Sequence, residues 1–412
     1  MRFRNKFSPA VNKLFKICLL IIKMEEFNPW WKREPDKDIE EFNSLKYKYY
    51  PRWLNEISLD EFSLNFIFGF RKTGKTTGIK LLIHKLLRSY DPFSIFFFRV
   101  DILDDYRELY EVLKNYWKFK EERKIKKCFI FLDEVTLLEN WWRAIKVFID
   151  EYRPREAVFV LSGSVSMFFY GKAETFSGRK GKGKIINVLP LSFHEYFKLF
   201  KKPVLDSTLL EIFNSYLKTG GFLGVLNKKI EDEDIILGIK NDLRLAHKSI
   251  NIGKIILGKV LEKAPSPYSY HTIAKDAGIS VKTAIEFLEL FEEMFLLKEI
   301  LYKGADNKIH ERKEKKYIIR DPFIAKSVSF WTGKELKKDF LYEWLVQEHL
   351  LRRYGEIYYF KNSYEIDCIA GNLKVEVKAG KPHRRYPRGV RVLEEQDIPR
   401  FLIELFSKKK SR

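Results

Sequence analysis

Hydrophobic positions along the chain follow three rhythms. Between residues 64 and 189, short apolar runs recur at 64–68, 94–100, 128–132, 157–162 and 184–189. They are apolar at nearly every position and reserve no face for water, as a strand covered on both sides requires. Between them the spacing becomes helical: Ile79, Leu82, Ile83 and Leu86 share one side of a helix. Buried strands alternating with helices predict an α/β fold, a parallel sheet with helices on both faces. Residues 206–247 read as further helices. A helix-turn-helix follows, running from Tyr270 through a turn at Gly278 into a second helix at Val281, with Ser280 as its N-cap. The stretch 337–354 is an amphipathic helix carrying Glu343. The third rhythm, period two, appears in 364–370 and 373–378, joined by Gly371-Asn372, a natural hairpin turn. In that register Asp367 faces Glu376 and Glu365 faces Lys378. Ile366, Cys368, Val375 and Val377 take the opposite face.

The first apolar strand runs straight into Gly69-Phe70-Arg71-Lys72-Thr73-Gly74-Lys75-Thr76, which fits the phosphate-binding pattern G-x-x-x-x-G-K-[ST]. Strand, glycine loop and helix are the context this chemistry needs. Backbone N–H groups curl toward phosphate oxygens, and the helix N-terminus adds positive potential. Residues Gly69 to Thr76, with Thr77 behind them, are the expected ATP contacts. Lys75 would reach the β- and γ-phosphates and the Thr76 hydroxyl would ligate Mg²⁺. The run 128–132 ends in Asp133-Glu134. Asp133 is expected to hold the Mg²⁺ and its water shell, and Glu134 to polarise the attacking water.

Net charge +21 and pI ≈ 9.5 favour an anionic partner, DNA first, though a lysine-rich genome would give the same bias. Hydrophobic content of 45% and aromatic content of 16% exclude a disordered chain. Cys18, Cys128 and Cys368 have no metal-ligand spacing, which suits a reducing, cytoplasmic setting. The apolar run 17–22 is too short to span a bilayer, so a soluble protein is expected. Residues 1–23 are read as a misassigned start, with Met24 first, ahead of a local amphipathic helix or a weak membrane contact. The aromatic stretch from Pro29 to Trp53 is expected to pack on the sheet.

G-x-x-x-x-G-K-T, then L-D-E, then Ser162-Gly163-Ser164, then Ser177-Gly178-Arg179, then L-P-L-S-F-H-E-Y-F at 189–197, stand in an order that resembles a large family of archaeal and bacterial AAA-type ATP-binding proteins. The resemblance runs from about Pro29 over most of the chain. It implies a lead-in at 1–44, an ATPase core at 45–205, a helical lid at 206–250, a winged helix at 251–330 and a restriction-endonuclease-like region at 331–412. It also implies a γ-phosphate sensor at Ser164, unless that turn is ordinary, and a γ-phosphate contact at Arg179, unless that arginine pairs structurally. Gly220-Gly221-Phe222-Leu223 has leucine where the family often has proline.

The C-terminal hairpin resembles the D…E-x-K core of restriction-type nucleases. Facing carboxylates repel unless a cation joins them. Asp367 and Glu376, with Glu343 close by, are therefore the candidate ligands of a second Mg²⁺ or Mn²⁺, and Lys378 the lysine that assists an attacking water. The other reading is a solvated face with salt bridges from Glu365 to Lys378 and from Lys374. Residues 381–391, with His383, Arg384, Arg385, Arg388 and Arg391, are basic enough to meet phosphates. Two functional readings follow: an ATPase acting on nucleic acid, or an ATP-driven switch acting on a protein partner with an inert C-terminal domain. The acidic second helix, with Glu286, Glu289, Glu292 and Glu293, favours the switch. Oligomeric state is open.

Overall fold

The computed structural model describes residues 20–164, 176, 178–378 and 386–407. Cys18, Ala173, Glu174, Thr175, Ser177, His383, Arg384, Arg385 and the tail 408–412 lie outside the described residues. The chain divides into two compact units, one of residues up to Gly69 with Gly74–Val188, the other of Phe70–Thr73 with Leu189–Arg412.

The first unit is built on five parallel strands: β1 (Ser63–Gly69), β2 (Ile95–Arg99), β3 (Cys128–Asp133), β4 (Ala157–Gly163) and β5 (Ile185–Val188). Their order is β2-β3-β4-β1-β5. Every residue of β1, β3 and β4 is buried, which is why these segments are apolar at nearly every position. Each fully buried Phe, Ile or Leu stabilises the unit by roughly 1.5–3 kcal/mol relative to exposure. The helices Lys75–Leu86, Tyr106–Glu122 and Trp141–Tyr152 follow β1, β2 and β3. The crossovers bring the carboxyl ends of β1, β4 and β3 side by side, where an open α/β sheet offers its ligand crevice.

The aromatic lead-in packs on this sheet as expected, and it closes an edge. Asn28 Nδ2 donates to the Phe97 carbonyl at 2.8 Å, and Phe97 N–H donates to Asn28 Oδ1 at 2.7 Å. Trp30 Nε1 donates to the Ile95 carbonyl at 3.0 Å. Edge strand β2 thus has polar groups paired that would otherwise invite another chain.

The second unit contains a mixed sheet of six strands: β6 (Leu297–Tyr302), β7 (Lys316–Ile319), β8 (Tyr358–Lys361), β9 (Glu365–Ala370), β10 (Leu373–Lys378) and β11 (Val390–Glu394). The hairpin β9–β10 has the register its turn predicts, with Ala370 opposite Leu373, Ile369 opposite Lys374 and Cys368 opposite Val375. Gly371 supplies the positive φ of that turn, 57°. β6 pairs with β8 through Leu301–Tyr358 and Tyr302–Tyr359. The expected division at residue 330 therefore runs between strands of one sheet, and β7 from before it belongs with the hairpin after it. The helix Lys338–Tyr354 packs on β7, β9 and β10. Helices Tyr270–Ala277 and Val281–Glu293 form the helix-turn-helix, and Ser280 Oγ accepts from Thr283 N–H at 3.0 Å as its N-cap. Among the described residues no helix is long and apolar enough to cross a membrane.

Candidate functional site

β1 ends at Gly69 and the helix begins at Lys75. A Cβ at residue 69 would lie 2.0 Å from the Val188 carbonyl oxygen, so only glycine lets β1 pass β5 there. Gly74 takes φ 85°, a left-handed conformation that turns the chain into the helix. Thr73 Oγ1 donates to the Phe70 carbonyl at 2.8 Å and ties the loop to itself. Lys75 is buried, and its Nζ donates to the Gly69 carbonyl at 2.8 Å. That acceptor is neutral, and an anionic phosphate oxygen is a stronger one. In the crown of the loop, Arg71 Nε donates to the buried Asp242 at 2.7 Å and Lys72 lies 3.4 Å from Asp234, both acids on the helix Asp232–Leu245.

Asp133 closes β3 and is 2% exposed. Thr76 Oγ1 donates to its Oδ2 at 2.6 Å, and Ser162 Oγ donates to its Oδ1. Glu134 follows at φ 55°, and its N–H donates to Ser162 Oγ at 3.2 Å. A hydroxyl and a carboxylate oxygen held together are hard donors of the kind Mg²⁺ takes, so these residues fit that ion. Ser162 is the serine that meets Asp133. Ser164 is buried one step beyond β4, where its N–H donates to Thr136 Oγ1 at 3.3 Å. The strand pairing contains the signal for Ser162: Leu132 sits opposite Leu161, so the next residues, Asp133 and Ser162, are neighbours. Arg179 lies in a bidentate ion pair with Asp150, 2.6 and 3.1 Å, on the helix Trp141–Tyr152.

The hairpin brings Asp367 and Glu376 together, as its register predicts. Asp367 N–H donates to Glu376 Oε2 at 3.2 Å, and Val377 N–H donates to Asp367 Oδ2 at 2.9 Å. Glu343 joins them from the helix Lys338–Tyr354. The cation among these acids is Lys316, on β7. Its Nζ lies 2.7 Å from Glu343 Oε1, 2.9 Å from Glu365 Oε1 and 3.0 Å from Asp367 Oδ1. Gln347 Nε2 donates to Glu343 Oε1 at 3.0 Å and to the Asp367 carbonyl at 2.8 Å.

The expected Glu365–Lys378 pair does not form. Lys316 takes Glu365, and Lys378 turns along its own strand to Glu376 at 2.5 Å. Tyr386 Oη donates to the same Glu376 oxygen at 3.0 Å. Repulsion is the reason to expect a metal here, and two ammonium groups offset it in part. Burial, and then Asp367, push Glu343 up to about 8; burial and Asp367 push Glu376 up to about 7. Burial works against the charge on Lys316, but Glu343, Asp367 and Glu365 outweigh it and hold the ammonium well above its ordinary range. Among the described residues no group of three or more His, Cys, Asp or Glu is arranged to hold a metal ion.

A family model described as an AAA domain matches residues 61–197. An uncharacterized protein of Methanocaldococcus jannaschii is 23% identical over 302 residues, which cover 64% of this chain and 62% of that protein. Among solved structures, the ORC2 protein of Aeropyrum pernix in its ADPNP–ADP complexes aligns with TM-score 0.40 at 9% identity, over 66% of this chain and 88% of that one. RuvB of Thermotoga maritima aligns with TM-score 0.29 at 11% identity, over 67% and 88%. The matched residues 61–197 hold the glycine loop, Asp133, Glu134 and the parallel sheet, and they support an AAA-type P-loop domain in this chain.

Proposed function

We propose that the chain is an AAA-type ATPase that couples ATP binding and hydrolysis to action on nucleic acid. The observation that carries this reading is the pairing at the ends of β1 and β3: Lys75 on the Gly69 carbonyl, and Thr76 on Asp133 at 2.6 Å. Loop N–H groups from Gly69 to Thr76, and Thr77 behind them, bind the phosphates at the helix N-terminus. Lys75 moves from the carbonyl to the β- and γ-phosphate oxygens. Thr76 and Asp133 are the residues that would hold Mg²⁺, which supplies charge neutralisation on the phosphates. Ser162 fixes the Asp133 carboxylate and, through the Glu134 N–H, the start of the turn that carries Glu134. Glu134 orients the water that attacks. Ser164 and Arg179 are assigned to the γ-phosphate, Arg179 by exchanging Asp150 for it.

Two observations support nucleic acid as the partner. The acids of the second helix are partly neutralised within the fold, Glu286 by Lys248 at 2.6 Å and Glu292 by Lys298 at 2.7 Å. Lys308, Arg312 and Lys313 are exposed in the loop between β6 and β7, where a wing would contact phosphates. One observation favours the alternative, an ATP-driven switch on a protein partner with an inert C-terminal domain: Lys316 lies among the acids a nuclease would need for metal. The test is ATP turnover of the purified chain with and without DNA, together with DNA affinity across salt. Turnover that Lys75→Ala abolishes, and affinity that falls steeply with salt, support the proposal. Turnover without any DNA affinity moves it to the switch.

A further inference from the structure

We propose that Lys316 is the resident cation of the C-terminal acid cluster, occupying the place of a divalent ion, so that this cluster takes no Mg²⁺ or Mn²⁺ and performs no metal-dependent hydrolysis. The assignment rests on coordination. An ammonium has three N–H donors. Here three carboxylates, Glu343, Glu365 and Asp367, lie within 2.7–3.0 Å of it. An ion bound by the same oxygens would sit beside the ammonium, cation against cation.

Other acid oxygens are engaged as well. Asp367 Oδ2 accepts from Val377 N–H, Glu376 Oε2 from Asp367 N–H, and Glu376 Oε1 from Lys378 and Tyr386. Lys316 has no easy way out. Its side chain is 3% exposed, its strand is paired to β6 at Ile300, and its Nζ lies 5.7 Å from the centre of the Tyr359 ring. A flexible surface lysine could yield to a metal, but one threaded through the sheet gives up its place only if β7 moves. The cluster is therefore the buried counter-ion set of one lysine, which is costly to break because a lost partner leaves charge uncompensated in the interior.

The experiment is thermal melting of the full chain, free of nucleotide, across a Mn²⁺ series, for the parent, Asp367→Asn and Lys316→Met. Any Mn²⁺ effect at Thr76 and Asp133 is common to all three and cancels in the comparison. The parent and Asp367→Asn should shift equally with Mn²⁺, while Lys316→Met should melt well below the parent without metal and regain part of the loss with it. A Mn²⁺-dependent rise in the parent that Asp367→Asn removes would overturn the proposal. So would Lys316→Met melting with the parent, since the ammonium would then hold nothing together. Should Lys316→Met not fold, the parent and Asp367→Asn comparison decides alone. Failure here is distinct from failure of the ATPase reading, because Asp367→Asn keeps the parent's ATP turnover in either case.

Discussion

Lys75 and Lys316 are both buried, 5% and 2% exposed, and both point at oxygen atoms. Lys75 donates to a backbone carbonyl at 2.8 Å, beside a loop shaped by Gly69 and Gly74. Lys316 is held by three carboxylates at 2.7–3.0 Å. The acids differ in the same way. Asp133 accepts from two hydroxyls, Thr76 and Ser162, which keep an oxygen set in order without neutralising it. Asp367 and Glu376 are matched by ammonium groups and backbone N–H. A buried charge becomes a binding site when its partners are neutral and replaceable by ligand; when they are opposite charges, it becomes part of the core.

The comparison breaks most visibly at Lys316. Lys316→Met should destabilise the fold by about 3–5 kcal/mol, the cost typical of stripping one partner from a buried ion cluster, read by chemical denaturation. Its ATP turnover per folded molecule should equal the parent's. Lys75→Ala should do the reverse: nearly parental stability, with ATP hydrolysis down on the order of 100-fold or more, as for loss of one preorganised charge contact. Glu134→Gln should keep ATP binding and slow turnover. Parental turnover in that variant would remove Glu134 from the mechanism.

His349 extends the contrast within the C-terminal unit. Its Nε2 accepts from Phe193 N–H at 2.9 Å, so its Nδ1 carries the proton and donates to the Leu345 carbonyl at 2.7 Å. Burial first, then the neighbouring Arg352, lowers it from 6.5 to about 4. The folded state thus takes up that proton less readily than the unfolded chain. Its contribution is full above pH 6.5 and is lost as pH falls toward 4, on the order of 3 kcal/mol. The stability difference between the parent and His349→Gln should therefore shrink over that range; a flat difference would contradict the neutral, doubly bonded ring. The smallest effect expected is Ser162→Ala, which removes one hydrogen bond to the Asp133 carboxylate, roughly 1.5–3 kcal/mol. The readout is Mg²⁺ affinity in the nucleotide complex, which Ser162→Ala should weaken and Ser164→Ala should leave near parental; equal affinities would deny Ser162 its place beside Asp133.

Most strands of the first sheet were legible because β1, β3 and β4 are buried along their whole length and so are apolar at nearly every position. The hairpin was legible because Gly371-Asn372 leaves one register, and that register brought Asp367 and Glu376 together. The ATP loop was legible because its chemistry needs residue types in unbroken sequence. Lys316 was not, for a physical reason. It stands 51 residues before Asp367, at the end of the charged run Glu311-Arg312-Lys313-Glu314-Lys315-Lys316, which reads as a solvated loop. The pairings of β7 with β6, of β6 with β8 and of β8 with β9 carry it into the acid cluster. The contact of Arg71 with Asp242 and the closure of β2 by Asn28 were hidden in the same way, since each depends on pairing between distant residues.

The most direct test is the number of Mn²⁺ ions bound per chain, measured at equilibrium with and without a non-hydrolysable ATP analogue. One ion should bind with the nucleotide, be lost in Lys75→Ala and remain in Asp367→Asn. A further ion that binds without nucleotide and disappears in Asp367→Asn would contradict the distinction drawn between Lys75 and Lys316.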